Sequence, residues 1–288
     1  MQFLPFFHFC HYPASLAAGS PWLPIPEAGS ISLSYVFQTA DEFYRADKKG
    51  PTPGGGEDLD QHTLWLNLNY GLTENLALDF RTGYAKSEFV LAGPTIDDSF
   101  NGLADSTIGF TWRIVDEDIS EHGLPSIALR AAAIIAGDYD TGYINSIGDG
   151  GNGGEVSLIV GKIFAEKLAL SGELGYRDRD SGIPEEVFFN LSAYYLFNSK
   201  LTASFEYQWN DATSGLDIGQ PGFAPDPNTK VRRFPELEED FQIVGLGLSY
   251  NLTSGTNLGL NLATVVDGRN TSKSNAVGLT FGYAFDLY

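Results

Sequence analysis

The sequence is poor in basic residues and in sulfur. Its 288 residues include 17 Lys and Arg against 37 Asp and Glu, which gives a formal net charge of −20 at pH 7. Binding to nucleic acid needs a basic face that neutralises phosphates, so this balance excludes nucleic acid as a partner. The chain contains one Met and one Cys, and this cysteine, Cys10, lies close to the amino terminus.

The chain also lacks a long hydrophobic run. The longest nearly apolar stretch, residues 127–136, is interrupted by Arg130, and it is shorter than the roughly 18 apolar residues that a membrane-spanning helix needs. A helical membrane protein is therefore excluded. The 43% hydrophobic and 13% aromatic content also excludes a disordered acidic chain. The 33 Gly, 20 Phe and 14 Tyr favour a β-rich fold with many turns.

Residues 1–18, MQFLPFFHFCHYPASLAA, form an apolar stretch that ends in small residues. This pattern predicts a secretory signal peptide, cleaved after Ala17 or Ala18, that precedes a single domain at residues 19–288. Cys10 would be removed with the signal peptide. The mature chain would then contain no disulfide, which fits export through an oxidising compartment.

From Gly29 onward, segments of about ten residues alternate between apolar and polar positions, as in Ile31, Leu33, Tyr35 and Phe37. A period of two is typical of a β-strand with one apolar face. Twelve such segments follow one another. The sequence therefore predicts about twelve strands, an even number.

The breaks between these segments are alternately short and long. Tight turns are expected at 73–75, 165–167, 198–200 and 253–255, with a longer one at 116–123, and polar loops at 44–60, 88–104, 138–153, 178–185, 210–239 and 267–273. An outer-membrane barrel has short periplasmic turns and long external loops. We therefore predict an all-β fold, a single antiparallel transmembrane β-barrel in the outer membrane of a Gram-negative bacterium.

A soluble sandwich or closed barrel would also alternate, but three features favour the membrane barrel. The segments are about ten residues long, whereas soluble strands average about five or six. Their second face mixes Asn, Asp, Arg and Glu with Gly and Ala, which suits a polar lumen. Large aromatic residues such as Tyr70, Trp112 and Trp209 gather near the segment ends, as in the aromatic girdles of such barrels.

Two stretches resemble a known family. Tyr70-Gly71-Leu72-Thr73-Glu74 closes one segment, and residues 102–113, GLADSTIGFTWR, open another. They are similar to the outer-membrane transporters associated with phenol meta-cleavage degradation pathways, although this family tends to have Gly where the chain has Ala104. The resemblance implies a channel or uptake role, and we expect small solutes, aromatic or hydrophobic ones among them. The final segment, residues 282–288, resembles the terminal strand that barrels present to their insertion machinery.

Charged residues on the polar face are candidates for a solute pathway through the lumen. They are Asp79, Arg81, Arg113, Arg130, Glu173 and Glu206. Basic residues on one wall and acidic residues on another would set a transverse field that orients polar solutes. Alternatively, the same residues pair and fill the lumen, because a buried charge without a partner is costly. The sequence leaves both arrangements open.

The long loops hold most of the acidic residues, including Asp138, Asp140 and Asp149 and the run at 236–240. Their spacing fits no calcium-loop template, so we expect a solvated acidic rim beside lipid and lipopolysaccharide, with no bound metal and no cofactor. The loop at 210–239 is long enough to fold inward as a plug or outward as a contact surface. A closed barrel that acts through its loops, in adhesion or partner binding, is therefore an alternative function.

An enzyme is a less favoured alternative, because some barrels of this size are hydrolases. Beyond the signal peptide, only His62 and His122 could act as the base for a nucleophile. No G-x-S-x-G motif occurs, and no pair of histidines has the spacing of metal ligands. We therefore expect no catalytic activity and no catalytic residue.

Overall fold

A computed structural model describes residues 19–53, 57–89, 99–120, 123–224 and 232–287. Twelve long antiparallel strands close into one barrel, and β2 and β3 form a separate hairpin. The strands are β1 (Ala28–Ala40), β2 (Glu42–Arg45), β3 (Lys48–Pro51), β4 (Leu59–Thr73), β5 (Leu76–Phe89), β6 (Ser99–Val115), β7 (Ser126–Ile135), β8 (Gly153–Phe164), β9 (Leu168–Arg179), β10 (Glu186–Leu196), β11 (Leu201–Ala212), β12 (Asp240–Asn251), β13 (Thr256–Arg269) and β14 (Asn275–Asp286). The described helices are two short 3-10 turns, Pro221–Phe223 and Phe234–Glu236, and neither could cross a membrane.

Each of the twelve barrel strands pairs with the barrel strands that come before and after it in the chain. The barrel closes because the first strand, β1, pairs with the last strand, β14, as well as with β4. Short turns and long loops alternate along the chain, so the predicted number of strands and the predicted rhythm of connections are confirmed. The boundaries differ in two loops. The loop at 44–60 contains most of the β2–β3 hairpin, and β6 begins within the predicted loop at 88–104, because its pairing with β5 continues to Ser99 opposite Glu88.

The outer surface of the barrel is apolar. Leu246 is 59% exposed, and its cross-strand partners Phe205 and Leu262 are also exposed. Exposed aromatic residues lie near the ends of the strands, with Trp112, Tyr250 and Tyr283 towards the short turns and Tyr84 towards the long loops. A contiguous apolar surface of this size is stable only in a lipid environment. The short turns therefore form the periplasmic end of the barrel, and the long loops form its external end.

The residues before β1 lie inside the barrel. Gly19 lies close to the Arg130 and Glu173 side chains in the middle of the lumen, and Pro21 is fully buried. The Trp22 indole donates a hydrogen bond of 2.7 Å from Nε1 to the carboxylate of Glu117 in a periplasmic turn. Residues 19–22 therefore occupy part of the periplasmic half of the lumen. The predicted signal peptide, residues 1–18 with Cys10, and the terminal Tyr288 lie outside the described residues.

We expect Leu246→Arg to destabilise the barrel in a bilayer by about 2–4 kcal/mol, because Leu246 lies halfway along β12 on the lipid side. The free energy of unfolding in phospholipid vesicles, from reversible urea titration, measures this cost. Ile119→Arg is the matched control, because Ile119 is 81% exposed in a periplasmic turn outside the apolar surface. Equal effects of the two substitutions would contradict the assignment of the lipid-facing side.

Candidate functional site in the barrel lumen

One wall of the lumen is built from ion pairs. The Arg130 guanidinium binds both oxygens of Asp79, with Nε–Oδ1 and Nη2–Oδ2 distances of 3.0 and 2.7 Å. It also forms an ion pair with Glu155. Arg130 is 2% exposed, so its positive charge is balanced by two carboxylates and is not solvated by water. In a buried position this pairing is required, because a lone charge would be costly.

Gly109 allows Arg130 to reach Asp79. Asp79 is on β5 and Arg130 is on β7, and β6 runs between them with Gly109 directly opposite Asp79. A Cβ atom at Gly109 would lie only 2.6 Å from Asp79 Oδ1 and 2.7 Å from Arg130 Nη2. The missing side chain on the middle strand is therefore what lets a guanidinium and a carboxylate two strands apart form a bidentate pair.

The ion pairs continue towards the external end. Arg177 joins Glu155 to Glu186, with N–O distances of 2.9 and 3.0 Å, and Arg179 contacts Glu186 and Asp149. Each arginine of this series thus lies between two carboxylates. We call this set the ion-pair wall; its members are Asp79, Arg130, Glu155, Arg177, Glu186, Arg179 and Asp149.

Two of the other predicted pathway residues have local partners. Glu173 accepts hydrogen bonds from Ser157 Oγ at 2.6 Å and from Asn190 Nδ2 at 3.0 Å, and it is 2% exposed. Arg113 lies at the periplasmic end, where it forms an ion pair with Asp116 at 2.8 Å. The sequence places both residues on the polar face, but it does not show these partners.

A cavity of about 220 Å³ lies in the lumen. The cavity is lined by strands β1, β4, β5 and β11 to β14. Of these, only β5 also contributes a residue to the ion-pair wall. Its lining mixes amide and hydroxyl groups with small apolar side chains. We call it the lumen cavity; the residues used below are Val36, Gln38, Gln61, Trp65, Asn67, Arg81, Glu206, Ile243, Gly245 and Ala263.

Arg81 and Trp65 form a stacked pair in the lumen cavity. The Arg81 Cζ atom lies 4.0 Å from the centroid of the Trp65 ring, a distance at which a guanidinium is attracted by the ring face. Gly83, the cross-strand partner of Trp65, leaves room for the indole, since a Cβ there would lie 2.5 Å from its Cε3 atom. Arg81 forms no ion pair with a described residue, and its Nε is buried without a partner.

Glu206 lies on β11 and lines the same cavity as Arg81. Glu206 is 7% exposed, whereas Arg81 is partly exposed to the cavity. The predicted residues thus divide into two groups. Asp79 and Arg130 pair within the ion-pair wall, while Arg81 and Glu206 line open space. The pairing that fills the lumen therefore applies to Asp79 and Arg130, while a role of Arg81 and Glu206 in a solute pathway stays a prediction.

A second cavity, about 350 Å³ in volume, lies at the external mouth and is called the mouth chamber. It is lined by residues 142–144 and 146–149 of one loop and by Phe234, Pro235, Leu237 and Glu239 of another. The two loops are joined by a hydrogen bond of 3.0 Å from the Arg232 amide to the Gly142 carbonyl. The described end of the loop at 210–239 therefore folds inward over the barrel, while residues 225–231 lie outside the described part.

The carboxyl group of Glu239 lies among these loops. Burial raises the pKa of Glu239 to about 8, and the negative charge of Asp149 acts in the same direction. A hydrogen bond with Thr271 opposes both effects. Burial likewise raises the pKa of Asp149, although the nearby Arg179 guanidinium lowers it. The acidic residues of this part of the rim are therefore not all solvated, contrary to the expectation from sequence.

The histidine candidates do not build a catalytic site in the described residues. His62 Nδ1 lies 2.7 Å from the Tyr35 hydroxyl, and its ring packs against Phe37 with centroids 4.9 Å apart. These aromatic residues lie on the outer face of the barrel, so His62 belongs to the external aromatic girdle. His122 lies outside the described residues. No group of three or more His, Cys, Asp and Glu in the described ranges is arranged to hold a metal ion.

Comparison with known proteins gives a family and a fold. The profile of the family described as "Putative MetA-pathway of phenol degradation" matches residues 54–281, which is most of the chain. No curated protein matches the sequence.

Three solved structures illustrate the similarity of fold. An outer-membrane channel from Pseudomonas putida F1 superimposes with a TM-score of 0.70 at 14% identity, over 93% of this chain and 100% of that chain. The NanC porin gives 0.51 at 7% identity, over 88% and 98%. The translocator domain of the autotransporter NalP from Neisseria meningitidis gives 0.50 at 12% identity, over 89% and 88%. The shared fold and the apolar outer surface place the protein in a bacterial outer membrane.

We expect Arg130→Ala to lower the stability of the barrel by about 3–5 kcal/mol, because the substitution leaves Asp79 and Glu155 without their shared cation. The free energy of unfolding in vesicles measures this loss. Lys49→Ala is the control, and it should cost far less, since the ion pair of Lys49 with Glu42 is exposed to solvent on the β2–β3 hairpin. A similar small cost for both substitutions would contradict the structural role of the ion-pair wall.

The mouth loops should open more readily as the pH rises. The folded-state pKa of Glu239, about 8, is above the ordinary value of 4.5. Stability from the neutral carboxyl group is therefore fully present below about pH 4.5 and is lost as the pH rises through about 8. Hydrogen exchange at residues 142–149 and 234–239, corrected for the intrinsic rate, should be at least about tenfold faster at pH 9 than at pH 6.

Glu239→Gln should remove most of this pH dependence, because the amide does not titrate. Glu57→Gln is the control, since Glu57 is exposed in another external loop. An unchanged pH profile in Glu239→Gln would show that a different group controls the loops.

Proposed function

The chain belongs to the family of the MetA pathway of phenol degradation, and we propose that it forms a channel for small solutes across the outer membrane. The observation that supports this most directly is the lumen cavity and its position next to the mouth chamber. Gln38, Gln61, Ile243, Val265 and Ser274 line both spaces. A solute that enters between the external loops would therefore reach the middle of the barrel without crossing the barrel wall.

The described structure favours a narrow and selective route over a wide pore. The ion-pair wall fills one side of the lumen, and residues 19–22 occupy part of its periplasmic half. Barrels of this strand number have limited internal space. We infer that a solute moves along the side of the lumen opposite the ion-pair wall and passes the segment at 19–22 on its way to the periplasm.

The lumen cavity fits small aromatic or hydrophobic solutes. A cavity of about 150 Å³ holds a benzene molecule in an engineered protein, and the lumen cavity measures about 220 Å³. Trp65 and Ile243 contribute apolar surface, while Gln61 and Asn67 offer hydrogen bonds. Such a lining can solvate a ring with one polar substituent.

We assign the predicted pathway residues to different roles in transport. Arg81 and Glu206 line the lumen cavity and would contact the solute. The route would be bounded, on the side of the lumen that side chains fill, by Asp79, Arg130 and Glu173. Arg113 would lie at the periplasmic exit.

We further infer that the protein has no catalytic activity, because the described histidine, His62, is held by the Tyr35 hydroxyl and the Phe37 ring in an aromatic girdle on the outer face of the barrel. The partners that we propose are outer-membrane lipid and lipopolysaccharide around the barrel and its acidic loops, and the barrel-insertion machinery during assembly. No observation specifically supports a function of the loops in adhesion, since the described mouth loops face inward.

Blocking the lumen cavity tests the channel. Gly245 lines it, and a Cβ atom at this position would make ordinary contacts, the nearest being 3.5 Å to Glu206 Cβ. Gly245→Phe should therefore fold while its ring fills the cavity. In planar bilayers we expect discrete conductance steps for the wild-type protein and less than about a tenth of that conductance for the variant.

Gly172→Phe is the matched control. Gly172 lies on the outer side of β9, where an added Cβ would approach nothing closer than 3.8 Å, so the same ring would face lipid. This variant should conduct like the wild-type protein. Full conductance of Gly245→Phe, or no conductance from folded wild-type protein, would refute a route through the lumen cavity.

A further inference from the structure

We propose that the lumen cavity is a binding site for monocyclic aromatic anions, with the carboxylate or phenolate of the solute on Arg81 and its ring in the apolar part of the cavity. This inference rests on the proposed transport function and specifies the chemistry of the solute. It follows from three features of the cavity: a cation without an ion pair, an aromatic surface that holds this cation in place, and a separate apolar region.

The first feature is the uncompensated charge of Arg81. Every member of the ion-pair wall has a partner of opposite charge within 4 Å. Arg81 also projects into the lumen, yet it forms no ion pair with a described residue, and its Nε is buried without a hydrogen bond. Glu155 already binds Arg130 and Arg177. A bound anion would supply the missing partner, and arginine suits this role because its planar donors match a carboxylate.

The second feature is the position of the guanidinium. Its stacking on Trp65, at 4.0 Å from the ring centroid, restricts the long side chain of Arg81. Asn67 and Gln61, on the same strand as Trp65, also line the cavity. A preorganised cation binds an anion with a smaller loss of conformational entropy. Arg81 thus resembles a prepared binding group more than a solvated surface charge.

The third feature is the apolar region. Val36, Ile243 and Ala263 line the cavity on β1, β12 and β13, whereas Arg81 is on β5. A solute that reaches from the guanidinium to these side chains needs a charged end and a compact apolar body. The volume of about 220 Å³ admits one ring with a short substituent.

Glu206 also lines the cavity, and its charge would favour a cation instead. Glu206 is 7% exposed and has contacts of its own, while Arg81 is more open to the cavity. A solute in the cavity therefore meets the guanidinium more directly than the carboxylate. The structure thus favours an aromatic anion over an aromatic amine.

Equilibrium binding to the full-length protein, purified from outer membranes in detergent, tests this proposal. Calorimetric titrations at pH 7 would use benzoate, benzyl alcohol and benzylamine, which share one ring and differ in charge. We expect benzoate to bind best. Arg81→Gln should weaken benzoate binding by about 10- to 100-fold, the range expected for charge-assisted hydrogen bonds, and should leave benzyl alcohol binding nearly unchanged.

Two further variants make the result specific. Arg81→Lys keeps the charge but loses the planar donors, so it should restore part of the benzoate affinity. Arg45→Gln removes an arginine from the β2–β3 hairpin, where Arg45 Nη2 donates to the Pro51 carbonyl, and it should change nothing. Unaltered heat-modifiable migration of each variant on gels would show that the barrel is folded.

The possible outcomes are distinct. Tightest binding of benzylamine, equal affinities for the three compounds, or an equal loss of all three in Arg81→Gln would overturn the proposal. Binding in detergent does not require conduction. Benzoate binding without conductance would therefore refute the channel and keep the site, whereas conductance without benzoate binding would refute the site and keep the channel.

Discussion

Closure of the sheet between β1 and its two neighbours, β14 and β4, is the constraint on which the rest of the structure depends. The hydrocarbon core of a bilayer offers no hydrogen bonds, so a sheet within it cannot leave an unpaired edge. Once the barrel closes, alternate residues of every strand must face lipid, and the others must share one narrow lumen. The apolar outer surface and the crowded polar interior are two results of the same closure.

This crowding explains how the lumen is divided. Charged side chains from β5, β7, β8, β9 and β10 are brought close together, and they pair because unpaired charges would be costly at this depth. Gly109 extends the pairing across an intervening strand. The opposite side is lined mainly by small and uncharged residues, which leaves open space next to Arg81. Ion pairs thus fill one side of the lumen, while the other side holds a cavity.

Access to the lumen is restricted at both ends by chain segments outside the barrel wall. Residues 142–149 and 234–239 surround the mouth chamber, and residues 19–22 lie in the periplasmic half of the lumen. Neither arrangement could be predicted, because loop residues show no periodicity, and their direction depends on contacts far away in sequence. The Arg232–Gly142 hydrogen bond and the Trp22–Glu117 hydrogen bond are examples.

The all-β barrel, its twelve strands, the order of short and long connections and the side of each strand that faces the lumen are all predictable from the sequence, because each follows from a period of two and from local turn residues. The sequence also places both Arg81 and Arg130 on the lumen side of their strands, and it does not distinguish the surroundings of the two residues. Only the tertiary structure separated them. Arg130 meets Asp79 and Glu155 from other strands, while Arg81 meets Trp65 and open space. Partners across strands depend on register and closure, which no local pattern encodes.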